Sequence, residues 1–561
     1  MQDFVYIKND VLIPLPDAIE ILDQANDKEA LICNDKNQKA QIYAPEINFY
    51  LKNSQDEILE QSKNVLTLYE ARASVYDLGL DLEQSKEVQN RLILVDSDTQ
   101  TVEFLKEHGF KVIALSSAEI LAVFGSVGEL CAVVKNQGEE VEIDFDFLLF
   151  KAEDLSVVRK DFTRQSGCYN LLNFENLEVL LEFLQSKSPK YPYKTYISYN
   201  ASVCQYHERR SEHCAKCAEI CPTVAILKDD ENKHLEFSQV DCLGCGGCIS
   251  VCPSGSLDYA PMPRESFFTL CEFYKDKKIL IIPKKMSLEN LNLALPKDVL
   301  PFMIEGEKWL SSMHFLTLLQ NSGSNLVFYT DFVSRGSNEA IVLLNTFFER
   351  KFQKKAIFVA KDEKELQNVL KEQEFIQDLK YDFHNNTLTT RENFAKRMQE
   401  MIKNEDFGSI ESGEWLRYGK IEINPNTCTL CLSCVGACNV GALIADAKEN
   451  ALKFNASLCT TCGYCELSCA EKDTLKLFRS GMEFRASYFE YQTMAKDELF
   501  ACIECGKEFA TKKAVEKIAN LMKPKFGNDE NKIKTLYCCA DCKAKVMIKA
   551  MGLWGKIRFR S

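Results

Sequence analysis

The sequence predicts a multidomain protein of mixed α/β and α+β class, and three observations lead to this prediction. The chain has 561 residues, which is enough for about four or five domains with cores of their own. Two stretches alternate apolar strand patterns with helical patterns, as in parallel sheets covered by helices. Most of the 25 cysteines occur in short-spaced groups, which predicts metal-binding modules rather than disulfides.

These patterns divide the chain into segments with different predicted roles. The predicted order is an α/β N-terminal scaffold or docking domain (1–190), a first cysteine module (195–265), a second α/β domain (275–375), a helical connector (376–412), a second cysteine module (413–480), a small zinc-ribbon-like module (495–545) and a basic tail (546–561).

The N-terminal α/β domain contains a βαβ pattern. Residues 91–96 read as a buried strand, 101–108 as a helix and 110–115 as a second strand. A phosphate-binding loop would place glycines directly after the first strand, whereas Asp96 and Asp98 stand there. We therefore expect a turn and a helix cap at these two aspartates rather than a nucleotide site.

The second α/β domain shows the same alternation. Strands are predicted at 279–282, 326–329 and 356–359, with helices near 309–319 and 338–348. Cys271 and His314 occur singly in this part of the chain. We expect both in the core rather than in a metal site, because neither has other ligand residues near it in sequence.

The first cysteine module contains two related motifs. Cys204-x9-Cys214-x2-Cys217-x3-Cys221-Pro222 is followed by Cys242-x2-Cys245-x2-Cys248-x3-Cys252-Pro253. Three closely spaced thiolates on a tight loop can bind one [4Fe–4S] cluster, and the fourth cysteine can bind the neighbouring cluster. This crossing rule predicts cluster I on Cys204, Cys214, Cys217 and Cys252, and cluster II on Cys242, Cys245, Cys248 and Cys221.

The surroundings of these cysteines favour iron–sulfur binding over zinc. Gly244, Gly246 and Gly247 suit a loop with amides close to sulfur, because glycine accepts a positive φ without strain. Structural zinc sites usually combine two separated Cys-x2-Cys pairs instead. Segment 205–213 adds two histidines, which could replace a ligand, and two arginines. The arginines would raise the potential of cluster I if they lie beside it, and otherwise are surface residues.

The second cysteine module repeats this arrangement. Cys428-x2-Cys431-x2-Cys434-x3-Cys438 is followed by Cys459-x2-Cys462-x2-Cys465-x3-Cys469. The crossing rule predicts cluster III on Cys428, Cys431, Cys434 and Cys469, and cluster IV on Cys459, Cys462, Cys465 and Cys438. Asn439 and Ala470 stand where a proline usually follows, which changes the exit of the loop rather than the ligands.

Both modules resemble the bacterial two-cluster ferredoxins, over residues 195–262 and 418–478. Two such modules in one large chain are similar to the polyferredoxins that accompany anaerobic oxidoreductases. The resemblance implies one-electron transfer without bond-making chemistry. It also implies a redox enzyme as partner, which would be formate dehydrogenase, a hydrogenase or another molybdenum or flavin oxidoreductase, with formate dehydrogenase favoured.

The C-terminal module has a different cysteine pattern. Cys502-Ile-Glu-Cys505-Gly-Lys is a zinc-knuckle sequence. Its predicted partners are Cys539 and Cys542, with Cys538 and Cys542 as the alternative pair. Four thiolates in two pairs favour one structural zinc ion, and a fifth iron–sulfur centre is the other interpretation.

The basic tail that follows could contact a partner or an anionic membrane surface, or remain solvated.

Composition excludes some functions and leaves others open. The net charge of −14 argues against nucleic-acid binding. We expect no transmembrane segment and no signal peptide, and hence a cytoplasmic protein.

The leading hypothesis for the function is an electron-transfer protein. The alternatives are an accessory or assembly factor for a metalloenzyme, and a flavin- or nucleotide-dependent oxidoreductase subunit, against which the missing glycine fingerprint counts. No catalytic residue is predicted.

Overall fold

The computed structural model describes residues 2–8, 13–78, 82–136, 138–154 and 158–550. The chain divides into two compact units, Met1–Arg397 and Met398–Ser561. Of the predicted basic tail, only residues 546–550 are described, and they belong to a helix. The rest of that prediction lies outside the described residues.

Two parallel sheets form the N-terminal part of the first unit. The first has the strand order Ile19–Leu22, Gln2–Ile7, Ala30–Cys33, Ala40–Tyr43, and the helices Pro45–Asn53 and Ile58–Leu78 follow it. The second has the order Cys168–Asn170, Phe147–Phe150, Arg91–Val95, Lys111–Leu115. The sequence predicted the βαβ part of the second sheet but not the first sheet.

The predicted βαβ unit has the expected turn and cap. The helix Thr99–Glu107 connects the strands Arg91–Val95 and Lys111–Leu115. Asp98 Oδ1 accepts a hydrogen bond from the Thr101 amide at 2.8 Å, which satisfies a free N–H of the first helical turn. Asp96 has a φ of 48° in the turn before it.

An antiparallel sheet and short helices complete this part of the unit. The sheet has the strand order Glu139–Phe145, Leu130–Asn136, Ile120–Phe124, and a further antiparallel pair joins Lys190–Lys194 to Glu83–Glu87. The helices are Lys160–Thr163 and Leu177–Ser186, with a 3-10 turn at Leu171–Asn173.

The first cysteine module lies between these sheets and the second α/β domain along the chain. It contains the antiparallel pairs Ile197–Tyr199 with Leu257–Tyr259 and Ile226–Asp229 with His234–Phe237. The 3-10 turn Ala201–Val203 and the short helices Lys216–Ile220 and Gly247–Ser250 carry or flank its cysteines.

The second α/β domain has a buried parallel sheet, as predicted. The strand order is Val299–Ile304, Lys278–Pro283, Leu326–Tyr329, Ile357–Ala360. Its helices are Arg264–Glu272, Ser312–Ser322, Arg335–Phe352 and Glu363–Lys371. Cys271 and His314 are both buried in this core, and His314 Nδ1 accepts a hydrogen bond from the Ser311 amide at 3.1 Å.

The helix Thr390–Ile402 contains the boundary between the two units. The second unit then contains the second cysteine module, which is longer than the predicted 413–480. Its sheets include Asp406–Ile410, from the predicted connector, and Gln492–Lys496, beyond the predicted end. Its strands are Asp406–Ile410 with Met482–Arg485, Lys420–Ile423 with Leu475–Phe478, and Leu443–Asp446, Ala451–Phe454 and Gln492–Lys496 in one antiparallel sheet. Its helices are Ser433–Ala437 and Tyr464–Leu467, with 3-10 turns at Ala456–Leu458 and Ala486–Tyr488.

The C-terminal module is a hairpin followed by helices. The strands Leu499–Ala501 and Glu508–Thr511 pair antiparallel. The helices Lys512–Phe526, Glu530–Thr535 and Ala540–Ala550 follow. The segment between the two cysteine pairs is therefore largely helical.

Candidate metal centres

The cysteines of the first module converge in two cavities. Cys204, Cys214, Cys217 and Cys252 line one cavity. A second, larger cavity is lined by the cysteines of the other set, Cys221, Cys242, Cys245 and Cys248. Each cavity thus collects three cysteines of one motif and the last cysteine of the other motif.

The electrostatics of the thiols reproduce the same two groups. Burial raises the pKa of Cys217 well above its ordinary value, and the nearby thiols raise it further, those of Cys252 and Cys214 before that of Cys248. Burial likewise raises the pKa of Cys248. Nearby thiols raise it further, in the order Cys242, Cys245, Cys221 and Cys252. Cys217 and Cys248 each respond to thiols of both groups, and therefore lie where the two groups approach each other.

The cysteines of the second module are grouped in the same way. The pKa of Cys434 is raised to about 12, first by burial and then by the neighbouring thiols Cys428, Cys431 and Cys469. Burial also raises the pKa of Cys465, where the thiols that act on it are Cys459, Cys462, Cys438 and Cys434. Cys434 and Cys465 are thus the approach point between these two groups.

The loops that carry these cysteines share a backbone conformation. Two positions after the first cysteine of three motifs, the backbone has a positive φ, at Gly244 (67°), Leu430 (53°) and Thr461 (51°). Two positions further on, the φ is again positive in each loop. In one of these loops the Thr461 amide donates to Cys459 Sγ at 3.4 Å.

The second module therefore adopts with leucine and threonine a conformation that the first module adopts with glycine. The left-handed region costs a residue with a side chain roughly 1–2 kcal/mol. The sequence predicted this conformation for Gly244, Gly246 and Gly247. It is present at Gly244 and Gly246 but not at Gly247, where the helix Gly247–Ser250 begins. The sequence did not indicate it at Leu430 or at Leu432, whose φ is 60°.

The donor sets fit iron–sulfur clusters. Burial and neighbouring thiols raise the pKa of at least one member of each set, as at Cys217, Cys248, Cys434 and Cys465. All four thiols of a set can therefore be deprotonated together only beside compensating positive charge. A cluster of iron ions supplies that charge, and thiolates are the ligands that it takes from protein. Amides that donate to ligand sulfur, as at Cys459, are a usual feature around such ligands.

The second α/β domain covers the loop of Cys242–Cys248. The Lys308 amide donates to Cys245 O at 2.9 Å. The adjoining Trp309 is fully buried, and its ring stacks on Tyr259 with centroids 5.3 Å apart. Burial raises the pKa of Cys245, and the Lys308 ammonium acts in the opposite direction. The sequence did not reveal this contact, because the residues are far apart along the chain.

The charged residues of segment 205–213 do not share one environment. Arg209 is half-buried and Arg210 is exposed. His207 Nδ1 lies 3.0 Å from His234 Nδ1, and His213 Nε2 lies 3.0 Å from Ser211 Oγ. These contacts give each histidine a partner other than a cysteine.

The C-terminal module brings four thiols close together. The Sγ atoms of Cys502, Cys505, Cys539 and Cys542 all lie within 4.8 Å of one another. Cys505 Sγ and Cys539 Sγ are 3.7 Å apart, and tetrahedral ligands at a Zn–S distance of about 2.3 Å are about 3.8 Å apart. This group can therefore bind a single metal ion.

The structure selects Cys539 over Cys538 for this group. Cys538 Sγ instead donates to Lys534 O at 3.3 Å, and burial raises its pKa to about 11. The Cys539 amide donates to Cys502 Sγ at 3.3 Å. Burial acts to raise the pKa of Cys502, but the amides of Cys539, Glu504 and Cys505 outweigh it and lower the pKa to about 6. The alternative pairing through Cys538 is thus disfavoured.

Comparison with known proteins identifies the two cysteine modules. Family models described as the 4Fe–4S dicluster domain match residues 210–256 and 420–470. All predicted cluster ligands except Cys204 lie in these two ranges. The chain therefore carries two 4Fe–4S dicluster domains, and such domains imply [4Fe–4S] clusters.

A curated relative supports the same class. The chain is 31% identical over 58 residues to YsaA of Escherichia coli (strain K12), whose name proposes electron transport. The similar region is 10% of this chain and 36% of that protein, so it concerns one part of each. Among the described residues, no helix has the length and apolar character needed to cross a membrane.

Proposed function

We propose that this protein is a polyferredoxin that relays single electrons through four [4Fe–4S] clusters. The observation that carries the proposal is the crossed grouping of cysteines. In each module, three thiols from one loop meet the last thiol of the other loop, in the cavities of the first module and in the mutual pKa effects of the second. Both loops must fold together to complete either donor set.

The proposed ligands are those of the crossing rule. A [4Fe–4S] cluster accepts and releases one electron at a time. The chain would supply thiolates, amide donors and a shield from water. The approach of Cys217 to Cys248, and of Cys434 to Cys465, supports electron exchange inside each module.

We further assign one structural zinc ion to Cys502, Cys505, Cys539 and Cys542. The sulfur spacing favours a mononuclear tetrahedral site. A zinc ion has no redox chemistry, so this site would stabilise the hairpin and helices rather than carry electrons.

The proposed partner is an oxidoreductase that exchanges electrons with the clusters. The two dicluster domains and the name of the Escherichia coli relative support this class. Among the partners that the resemblance to polyferredoxins implies, formate dehydrogenase is favoured over a hydrogenase or another molybdenum or flavin oxidoreductase, and it enters here as part of the proposal. An assembly factor would instead bind an apo-enzyme, and the clusters of the assembly factor would not be reduced or oxidised during catalysis.

Anaerobic affinity capture from native cells, followed by addition of the captured enzyme's substrate, tests this proposal. We expect a redox enzyme in the captured complex and bleaching of the cluster absorbance when its substrate is added. A chain in which Cys245 is replaced by serine should show a smaller bleaching with the same partner. Capture of an apo-enzyme, with clusters that stay oxidised, would favour assembly instead.

A specific observation favours a second candidate, an oxidoreductase subunit with a small-molecule site. An open cleft is lined by Arg164, Tyr169, Tyr191, Tyr196 and Cys242. Cys242 also lines the cavity of the second cysteine group, so a ligand in the cleft would lie beside a cluster ligand. Titration with flavin mononucleotide, with R164A as the comparison, tests this candidate; saturable binding that R164A weakens would support it.

A further inference from the structure

Tyr199 places a hydroxyl group in the cavity of the first cysteine group. It ends the strand Ile197–Tyr199, five residues before Cys204, and lines the cavity together with Cys204, Cys214, Cys217 and Cys252. Its hydroxyl oxygen is buried and has no hydrogen-bond partner in the part of the chain that the structure describes. Buried hydroxyls are almost always paired, so this one calls for a partner.

Apart from burial, the groups that affect the pKa of this hydroxyl are thiols. Burial raises the pKa of Tyr199 strongly, and the next contributions come from Cys204, then Cys217 and Cys252. The ring itself is fixed by packing, because it contacts Phe237 with centroids 4.8 Å apart. The phenol is thus held in place beside the sulfur atoms of one predicted cluster.

We propose that the Tyr199 hydroxyl donates a hydrogen bond to Cys204 Sγ when cluster I is bound, and that this bond raises the reduction potential of cluster I. The inference rests on the proposed function. A donor to ligand sulfur withdraws electron density and stabilises the reduced cluster, which carries one more negative charge. Tyr199 is therefore a residue that tunes the potential, rather than a ligand.

The second module contains a natural comparison for this residue. Tyr199-Asn-Ala-Ser-Val-Cys204 corresponds to Phe454-Asn-Ala-Ser-Leu-Cys459. Asn200 Oδ1 accepts hydrogen bonds from the Ser202 amide at 3.1 Å and hydroxyl at 2.7 Å. The corresponding Asn455 makes the same two bonds to Ser457 at the same distances.

The two hexapeptides therefore fold alike and differ in the hydroxyl group. Phe454 presents no donor at this position. The other two motifs also lack one, since Phe237 and Ile423 stand five residues before Cys242 and Cys428. Among the four motifs, a phenol at this position occurs in the first alone.

Tyr206 offers a matched control in the same cavity. It lines the cavity of the first cysteine group, and it is fully buried. Its hydroxyl, however, donates to Asp230 Oδ1 at 2.7 Å and lies 3.2 Å from Asp229 O. Y206F therefore removes a hydroxyl that is already bonded away from sulfur, whereas Y199F removes the one beside Cys204.

The experiment compares reductive titrations of the wild-type chain, Y199F and Y206F, followed by electron paramagnetic resonance, with iron content measured for each. We expect all three proteins to hold the same iron. In Y199F, one of the reduction waves should move to lower potential, with about a tenfold higher ratio of oxidised to reduced cluster at the wild-type midpoint, or about 59 mV for one electron. Y206F should titrate like the wild type.

Vibrational spectra provide a second readout. Exchange into D2O should shift an Fe–Sγ stretching band in the wild type and in Y206F, and this isotope shift should be weaker in Y199F. Unchanged waves and an unchanged isotope effect in Y199F, an equal shift in Y206F, or loss of iron from Y199F would each overturn the role of Tyr199. Absence of reducible clusters from all three proteins would instead refute the proposed function.

Discussion

Gly246 should be the least replaceable glycine of the cluster II loop. It has a φ of 77°, and a Cβ atom at this position would lie 2.3 Å from Trp309 Cβ and 3.0 Å from Trp309 Cα. Carbon atoms in contact are normally about 3.5–4.0 Å apart. Trp309 cannot easily move away from the added methyl group, because it is fully buried and its Nε1 donates a hydrogen bond to Glu305 O at 2.8 Å.

The expected cost of G246A follows from these two effects. A positive φ costs a residue with a side chain roughly 1–2 kcal/mol. Insertion of a methyl group into a packed contact costs about 1–3 kcal/mol. The loop should therefore lose about 2–5 kcal/mol of stability, and even about 2 kcal/mol raises the population of the open loop by about 30-fold.

The assay is the anaerobic release of iron to a chelator, compared with G247A. A Cβ at Gly247 would lie 3.7 Å from Lys308 Cβ, an ordinary contact, and the φ of Gly247 is not in the positive range. About a quarter of the cluster absorbance, the share of one cluster in four, should decay at least about tenfold faster in G246A than in G247A. Equal release rates for the two variants would refute the assigned contact with Trp309.

Two further predictions address the ligands. Because the ligation is crossed, C221S and C245S should abolish the same spectroscopic cluster, while C168S leaves all clusters in place; loss of different clusters in C221S and C245S would show that each motif binds its own. In the C-terminal module, C539S should lose the zinc that elemental analysis detects, whereas C538S should retain it because the Cys538 thiol bonds to Lys534 O; retention of zinc by C539S would exclude the assigned ligand set.

The cysteine spacing predicted most of the candidate centres. A thiolate loop needs its cysteines at short, fixed separations, so the ligand sets are visible in the sequence and the structure groups the thiols in the same sets. The zinc-knuckle pattern likewise indicated a metal site and favoured Cys539 over Cys538, and the structure groups the Cys539 thiol with those of Cys502, Cys505 and Cys542. Spacing alone left Cys538 open as the alternative, because the two cysteines are adjacent in the sequence.

The features that sequence reasoning missed depend on contacts between distant segments. Lys308 and Trp309 cover the loop of Cys245 from about 60 residues away along the chain, and no local pattern indicates such packing. The parallel sheet that starts with Gln2–Ile7 was also missed, although its strands are as long as predicted strands such as Leu326–Tyr329. The left-handed conformation of Leu430 was missed because leucine gives no local signal for it. Tyr199 could have been found by aligning the four motifs on their first cysteines.

The measurement that tests the central claim most directly is a combined analysis of the anaerobically purified chain. Iron and inorganic sulfide are determined on the same sample as a coulometric reduction. Four [4Fe–4S] clusters predict about 16 iron atoms, about 16 sulfides and about four electrons per chain, with about one zinc ion. Iron without inorganic sulfide, or clusters that accept no electrons, would contradict the assignment of this protein to electron transfer.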